Sequence, residues 1–100
     1  MTKEEIITKI DELVKDSKTF KIGMTGKKPS ERLEMPDYKD KFDKIIPICS
    51  SSNERSITDL ENQMIDKFSK LYPKICKNDQ SGGGEMEESS KYFLYVVLNK

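Results

Sequence analysis

The last stretch of the chain, residues 91–98, is its most apolar run and constrains the fold more than any other segment. It is rich in aromatic and β-branched side chains, which favour a β-strand. Because apolar residues stand at consecutive positions, without polar residues between them, both faces of such a strand have to be covered. The sequence therefore predicts that the end of the chain forms the central strand of a sheet.

Two shorter segments supply the other strands. In residues 20–23 apolar side chains alternate with Lys21, and the two glycines within four residues predict either a sharp turn or a close approach of the backbone to a ligand. Residues 44–49 are the other candidate, and Pro47 within them cannot donate a ladder hydrogen bond, which indicates an edge strand or a β-bulge. Together the three segments predict an α+β domain with a small, mainly antiparallel, three-stranded sheet flanked by helices.

Two amphipathic helices are predicted to pack on this sheet. Residues 3–16 begin with a capping box and continue with isoleucine, leucine and valine at helical spacing. The second helix is expected to begin at a cap on Ser56 or Thr58 and to end near Leu71, just before a proline. Between residues 37 and 43, Tyr38 and Phe42 are expected to anchor an irregular loop to the core.

Glu61 stands out in the second helix because it falls inside the apolar face. At about 100° per residue, its position lies between those of Phe68 and Ile65. In one interpretation it lies at the rim of the helix, and its carboxylate reaches water or a lysine. In the other it faces a cleft over the sheet and binds a divalent cation, since an unpaired buried carboxylate is costly. Both interpretations are open at this point.

Length, composition and charge describe one soluble globular domain over residues 1–100. The 18 basic residues are balanced by 18 acidic residues, so the molecule has no net charge to attract nucleic acid over a long range. Lysines are nevertheless frequent from Lys15 to Lys28. They form either a phosphate-facing patch or an ordinary solvated face.

The chain has no histidine and two cysteines, Cys49 and Cys76, so we expect neither structural zinc nor a histidine-dependent catalytic triad. Catalysis would have to use carboxylates, lysine, tyrosine, cysteine or a metal ion. No signal core follows Met1, and no apolar run approaches the length of a membrane span. We expect an intracellular protein, cytoplasmic or nuclear, with reduced cysteines, no membrane contact and no small-molecule cofactor.

The segment Lys21-Ile22-Gly23 resembles the second motif of the GIY-YIG endonucleases. In that family a strand ends in Tyr-Ile-Gly, or in a variant such as Lys-Ile-Gly, and a loop and a short helix with an arginine follow. Arg32 stands at the matching spacing, in a helix of about two turns predicted between two prolines. Glu61 resembles the glutamate that binds the single catalytic metal of the family, and Asn78 resembles an asparagine of the loop after it.

The family's first motif, Gly-Ile-Tyr, has no counterpart before residue 20, where a helix is predicted instead. The terminal strand resembles it through the sequence Phe-Leu-Tyr that ends at Tyr95. The resemblance therefore implies a circularly permuted domain with Tyr95 as the tyrosine of the first motif. Such a permutation is physically reasonable because chain termini of domains often lie close together. Tyr92, which faces the other side of the strand, is the alternative.

The resemblance implies a divalent-metal-dependent endonuclease that hydrolyses DNA with one Mg²⁺ or Mn²⁺ bound at Glu61. Arg32 would neutralise the phosphoryl charge, Tyr95 would help to activate water, and Lys21 takes the position of the second-motif tyrosine. The residues implied in contacts with the DNA substrate are Gly23, Lys27, Lys28 and Asn78.

Two other functions remain open. A degenerate member of the family would bind nucleic acid or a protein partner without cleaving, and its Glu61 would be held by Lys21 or Arg32. An unrelated three-stranded domain with a partner-binding sheet would have Arg32, Glu61 and Tyr95 far apart.

Overall fold

The structure is a computed structural model that describes residues 2–26, 28, 41–77 and 91–99. In chain order its elements are α1 (Lys3–Val14), β1 (Thr19–Thr25), β2 (Lys44–Ser51), α2 (Glu54–Leu71) and β3 (Tyr92–Asn99). These elements form the predicted α+β architecture of helices on a three-stranded antiparallel sheet. The short helix predicted around Arg32 lies outside the described residues.

The sheet has the strand order β1-β3-β2, so the strand that comes last in the chain is the central one. β3 pairs antiparallel with both neighbours, from Thr19 opposite Asn99 to Thr25 opposite Phe93 on the β1 side. All five residues from Leu94 to Leu98 are buried. The prediction of a central strand covered on both faces is confirmed.

The two faces of the sheet enter different cores. The larger core contains residues from both helices and all three strands, among them Ile10, Phe20, Ile48, Phe68, Leu94 and Val96. The smaller core, on the other face, consists of Tyr95 and Val97 with Phe42 and Ile45 packed against them. Phe42 thus anchors its loop as predicted, whereas Tyr38 lies outside the described residues.

α2 begins earlier than the sequence predicts, because neither Ser56 nor Thr58 is the cap. Asn53 has extended backbone angles, and its side-chain oxygen accepts a hydrogen bond from the Ser56 N–H at 3.2 Å. Asparagine, serine and threonine are all good capping residues, and three of them stand within six positions here. Of these three residues the cap is Asn53, which gives the longest helix. The helix ends at Leu71, as predicted.

α1 and β2 follow the predictions with small corrections. The capping box of α1 is present, with the Thr2 hydroxyl accepting from the Glu5 N–H, but the helix ends at Val14 and not at residue 16. β2 is an edge strand whose register shifts between Pro47 and Cys49, as the proline indicated. It continues through Ser51, so the polar loop begins after that residue.

Within the residues that the structure describes, no helix has the length and apolar character needed to span a membrane. Cys49 and Cys76 are not joined in a disulfide bond, and both are partly buried.

Candidate functional site

The outer edge of β1 is bonded to the segment after α2 and to Glu61. An edge strand directs half of its backbone N–H and C=O groups away from the sheet, and these groups need other partners. The Phe20 N–H donates to the Ile75 carbonyl at 3.0 Å, and the Phe20 carbonyl accepts from the Lys77 N–H at 2.8 Å. Further along the same edge, the Met24 N–H donates to the carboxylate of Glu61. Residues 75–77 therefore supply the hydrogen-bond partners at the start of this edge, and the side chain of Glu61 supplies the partner further along it.

Glu61 is deeply buried, with a relative exposure of 4%. It lies on the apolar face of α2 with Ile57, Ile65 and Phe68, which confirms its predicted place inside the apolar arc. Burial raises the pKa of Glu61 to about 7, while the hydrogen bond from Met24 and the positive charge of Lys21 oppose that rise. The carboxyl group is therefore poised to change its charge near neutral pH.

Thr58, three positions before Glu61, and Asn62, directly after it, are two further polar residues of α2. The Thr58 hydroxyl donates to the sulfur of Met24 at 3.3 Å, which joins α2 to β1 a second time. The Oδ1 atom of Asn62 is buried and has no hydrogen-bond donor in the part of the chain that the structure describes. The sequence analysis did not predict this burial, because nothing in the helical pattern distinguishes Asn62 from an ordinary exposed amide.

Gly23 and Tyr95 are directly opposite each other in the β1–β3 pair. A Cβ atom on Gly23 would lie 2.4 Å from the Tyr95 hydroxyl oxygen and 2.6 Å from the ring carbon that bears it. Gly23 does not have a positive φ angle, and β1 continues through it to Thr25. The prediction of a turn at Gly23 is therefore wrong. This glycine is required because the tyrosine ring lies across it.

Lys21 belongs to the same face of the sheet as Gly23 and Tyr95, because side chains two residues apart on a strand share a face. It is half-buried and lies opposite Val97, and its charge acts on Glu61. Tyr92 belongs to the larger core, and Tyr95 to the smaller one, so the two tyrosines face opposite sides as expected. The structure thus places Lys21, Gly23 and Tyr95 on one face of the sheet, whereas Glu61 reaches the outer edge of β1 from the helix that packs on the other face.

The remaining candidates do not add to this geometry. Arg32, Lys27 and Asn78 lie outside the described residues. Lys28 is exposed. The hypothesis that Arg32, Glu61 and Tyr95 are far apart therefore stays a hypothesis.

The carboxylate of Glu61 is of the type that can hold a magnesium or manganese ion weakly. In the described ranges, no three side chains of histidine, cysteine, aspartate or glutamate converge as a metal cluster. Mg²⁺ often takes only one or two carboxylates from the protein and keeps several water ligands beside the phosphate oxygens of its substrate. Glu61 supplies one such carboxylate, whereas Asn62 directly follows it and projects about 100° away around the helix, so the two side chains do not form one ligand set. The donor chemistry therefore suits at most one ion, held by the protein through Glu61.

Neither the protein-family models nor the curated proteins and solved structures compared with this chain give a match. Its function therefore has to follow from the site itself.

Proposed function

We propose that this protein is a divalent-metal-dependent endonuclease that hydrolyses phosphodiester bonds of DNA, as a circularly permuted domain of the GIY-YIG type. The observation that carries the proposal is Glu61, a buried carboxylate with its pKa raised to about 7 beside the strand that contains Lys21-Ile22-Gly23. Carboxylates with strongly shifted pKa values are frequent at functional sites. Elsewhere a buried carboxylate is rare, because burying its charge costs free energy. DNA as the substrate also implies an intracellular protein, in the cytoplasm or the nucleus.

The strand order supports the permuted arrangement. A terminal strand that replaces the family's first strand has to pair with the Lys-Ile-Gly strand and present its tyrosine there. β3 pairs antiparallel with β1, and the ring of Tyr95 lies against Gly23. Tyr92 belongs to the larger core, on the face where α2 packs, so Tyr95 is the candidate for the first-motif tyrosine because of its contact with Gly23 alone.

The proposed roles follow from the chemistry of each side chain. Glu61 would hold one Mg²⁺ or Mn²⁺, which when bound polarises the scissile phosphate and stabilises the leaving oxygen. Tyr95 orients the attacking water, Arg32 neutralises charge on the phosphoryl group, and Lys21 offers a cation where the family has a phenol. The proposed contacts with DNA come from Gly23, Lys27, Lys28 and Asn78.

A second function is favoured by the hydrogen bond between Glu61 and the Met24 N–H. This bond, together with the nearby charge of Lys21, satisfies the carboxylate without any ion. Glu61 would then have only the structural role of closing the edge of β1. In that case the protein is a degenerate domain that binds nucleic acid or a protein partner and does not cleave.

Cleavage of supercoiled and branched DNA distinguishes the two functions. Purified protein is incubated with Mg²⁺ or Mn²⁺, beside an EDTA control and the variants Glu61→Gln and Asp59→Asn. Glutamine keeps an oxygen that accepts from Met24 but removes the negative charge, and Asp59 is an exposed acid two positions away on α2. We expect nicking by the wild type and by Asp59→Asn, and none by Glu61→Gln or in EDTA. Cleavage that survives Glu61→Gln, or no cleavage of any substrate, would exclude the nuclease and leave the binding function.

A further inference from the structure

Met24 is bonded to α2 at two of its atoms. Its backbone N–H donates to the Glu61 carboxylate, and its sulfur accepts a hydrogen bond from the Thr58 hydroxyl at 3.3 Å. Thr58 and Glu61 are three residues apart on α2, a spacing that places two side chains on one face of a helix. One turn of α2 therefore contacts both the backbone and the side chain of a single residue of β1.

The hydroxyl of a threonine in a helix often has a different partner. It commonly donates to a backbone carbonyl one turn earlier, which is a stronger acceptor than a thioether sulfur. The Thr58 hydroxyl donates to β1, and Thr58 and Met24 are both half-buried. A methionine side chain has three rotatable bonds, so partial burial restrains it less than a directional contact at its sulfur does. The hydroxyl therefore holds the end of a side chain that packing alone leaves adjustable.

Glu61 in turn depends on where the backbone of Met24 lies. The carboxylate is buried, and a buried carboxylate needs hydrogen bonds to offset the loss of water. Movement of β1 against α2 would lengthen the bond from the Met24 N–H. The contact between Thr58 and the sulfur opposes that movement, because it ties the same strand residue to the same turn of the helix.

We infer that Thr58 is a positioning residue: by holding the side chain of Met24, it keeps the Met24 N–H on the Glu61 carboxylate and fixes this carboxylate at the edge of β1. The inference rests on the proposed function for the ion that the carboxylate binds, and it adds the residue that orients this ligand. Residues that orient metal ligands from behind strengthen metal binding without contacting the ion. Thr58 acts in this way through Met24.

Amide hydrogen exchange of the metal-free protein, followed by NMR in EDTA, tests the inference without a cleavage assay. The reporter is the N–H of residue 24. The Phe20 N–H is the internal reference, because it lies on the same edge of β1 but bonds to the Ile75 carbonyl. A local change at Met24 therefore differs from a general loosening of the edge.

Two substitutions remove the contact from opposite ends. Thr58→Val removes the hydroxyl and keeps the shape of the side chain, and Met24→Leu removes the sulfur and keeps the backbone N–H. Thr58→Ser retains the hydroxyl. Ser69→Ala is the control for the loss of a hydroxyl from α2, since the Ser69 hydroxyl bonds to the Asp66 carbonyl within the helix. Melting curves of all variants establish that they are folded.

We expect Thr58→Val and Met24→Leu each to accelerate exchange at residue 24 about fivefold, the effect of losing one hydrogen bond of ordinary net strength. The double variant should be no faster than either single variant, because both remove the same contact. Thr58→Ser and Ser69→Ala should exchange like the wild type, and the Phe20 N–H should keep its rate throughout. An unchanged rate at residue 24, or equal acceleration at residues 20 and 24, would overturn the inference.

Mn²⁺ binding, measured by electron paramagnetic resonance of the free ion, separates this inference from the proposed function. Thr58→Val should weaken binding about tenfold, and Ser69→Ala should keep the affinity of the wild type. Cleavage that depends on Glu61, together with an unchanged exchange rate in Thr58→Val, would overturn the positioning role alone. Faster exchange in a protein that neither binds Mn²⁺ nor cleaves DNA would support the hold of Thr58 on Met24 and exclude the nuclease.

Discussion

A buried carboxylate such as Glu61 destabilises the fold at neutral and alkaline pH. Its pKa of about 7, against an ordinary value of 4.5, corresponds to a free-energy difference on the order of 3 kcal/mol. Between these two pH values the folded protein keeps a proton that the unfolded chain has released, so the free energy of unfolding falls as pH rises. The loss is complete above the folded-state pKa. A carboxylate with such an effect, next to the Lys-Ile-Gly strand, is consistent with a role in binding a cation.

Replacing Glu61 with glutamine should therefore stabilise the protein in a pH-dependent way. At pH 8 we expect the free energy of unfolding of Glu61→Gln to exceed that of the wild type, and the difference between the two to be larger than at pH 4.5 by about 3 kcal/mol. Urea denaturation at both pH values measures the change. Asp59→Asn, at an exposed position of the same helix, should show no comparable pH dependence. A constant difference between Glu61→Gln and the wild type would contradict the raised pKa.

The contact between Gly23 and Tyr95 is the other feature at the scale of single residues. Glycine in a strand normally weakens the strand, because it has no side chain to pack. Here the opposite tyrosine ring fills the space that a side chain of Gly23 would need. The ring and the glycine therefore have to be considered as a pair.

Gly23→Ala should destabilise the protein by about 1–3 kcal/mol, because the new methyl group overlaps the ring and displaces it. The same substitution in a Tyr95→Val background should cost much less, since the overlapping atoms are gone. A double-mutant cycle from thermal or urea unfolding measures this coupling. Additive effects of the two substitutions would show that the ring does not restrict Gly23.

At the scale of elements, α2 combines a local function with a tertiary one. Asn53 satisfies a backbone N–H in its first turn, and the helix then packs its apolar face on the sheet. From this helix the Thr58 hydroxyl donates to the Met24 sulfur, and the Glu61 carboxylate accepts from the Met24 backbone N–H. The position of the cap therefore decides where the helix starts, and packing decides which residues reach β1.

Asn53→Ala should lower the free energy of unfolding by about 1 kcal/mol through the loss of this cap. Asn53→Asp should retain most of the stability, because its carboxylate can accept the same hydrogen bond. Ser56→Ala is the matched control: it removes the hydroxyl that the sequence favoured as a cap but keeps the N–H that Asn53 binds. If Ser56→Ala were the more destabilising substitution, the cap would lie at Ser56.

At the scale of the whole molecule, the sheet depends on the last strand of the chain. β1 and β2 are both bonded to β3, and they are not hydrogen-bonded neighbours of each other. Asn99, at the end of β3, joins both sides: its side chain accepts from the Asp43 N–H at 2.9 Å and donates to the Thr19 hydroxyl at 2.9 Å and to the Lys41 carbonyl. Contacts of such high sequence separation form late, since long loops have to close first.

A chain that ends at residue 91 should therefore not fold. Without β3 the two edge strands have no partner, and the larger core loses Leu94, Val96 and Leu98. We expect no cooperative thermal transition by circular dichroism and little dispersion of amide NMR signals. A truncation of Lys100 alone is the control, and it should melt like the full chain. A cooperative transition in the chain that ends at 91 would contradict the central role of β3.

Most of the architecture could be predicted from residues that act locally. The capping box of α1, the helical period of α2, the apolar run of β3 and the effect of Pro47 each depend on neighbours within a few positions. These features predicted both helices, the three strands, the central place of β3 and the position of Glu61 inside the apolar arc of α2. The same local reasoning placed the cap of α2 at Ser56 or Thr58 and not at Asn53, because all three residue types are good caps and the local sequence does not choose between them. It was wrong at Gly23 because the partner that requires a glycine is Tyr95, which stands 72 positions later.

The surroundings of the site depend on contacts between distant segments. Three features follow from how α2 and the segment after it pack on the edge of β1. Glu61 accepts from the Met24 N–H, the Asn62 Oδ1 is buried without a donor among the described residues, and the Lys77 N–H bonds to the Phe20 carbonyl. A periodic pattern specifies which face of a helix is apolar. It does not specify which strand that face contacts, or which residues along the strand it contacts. Only the packed chain brings these groups within hydrogen-bonding distance, because the directional groups choose their partners after burial has brought the elements together.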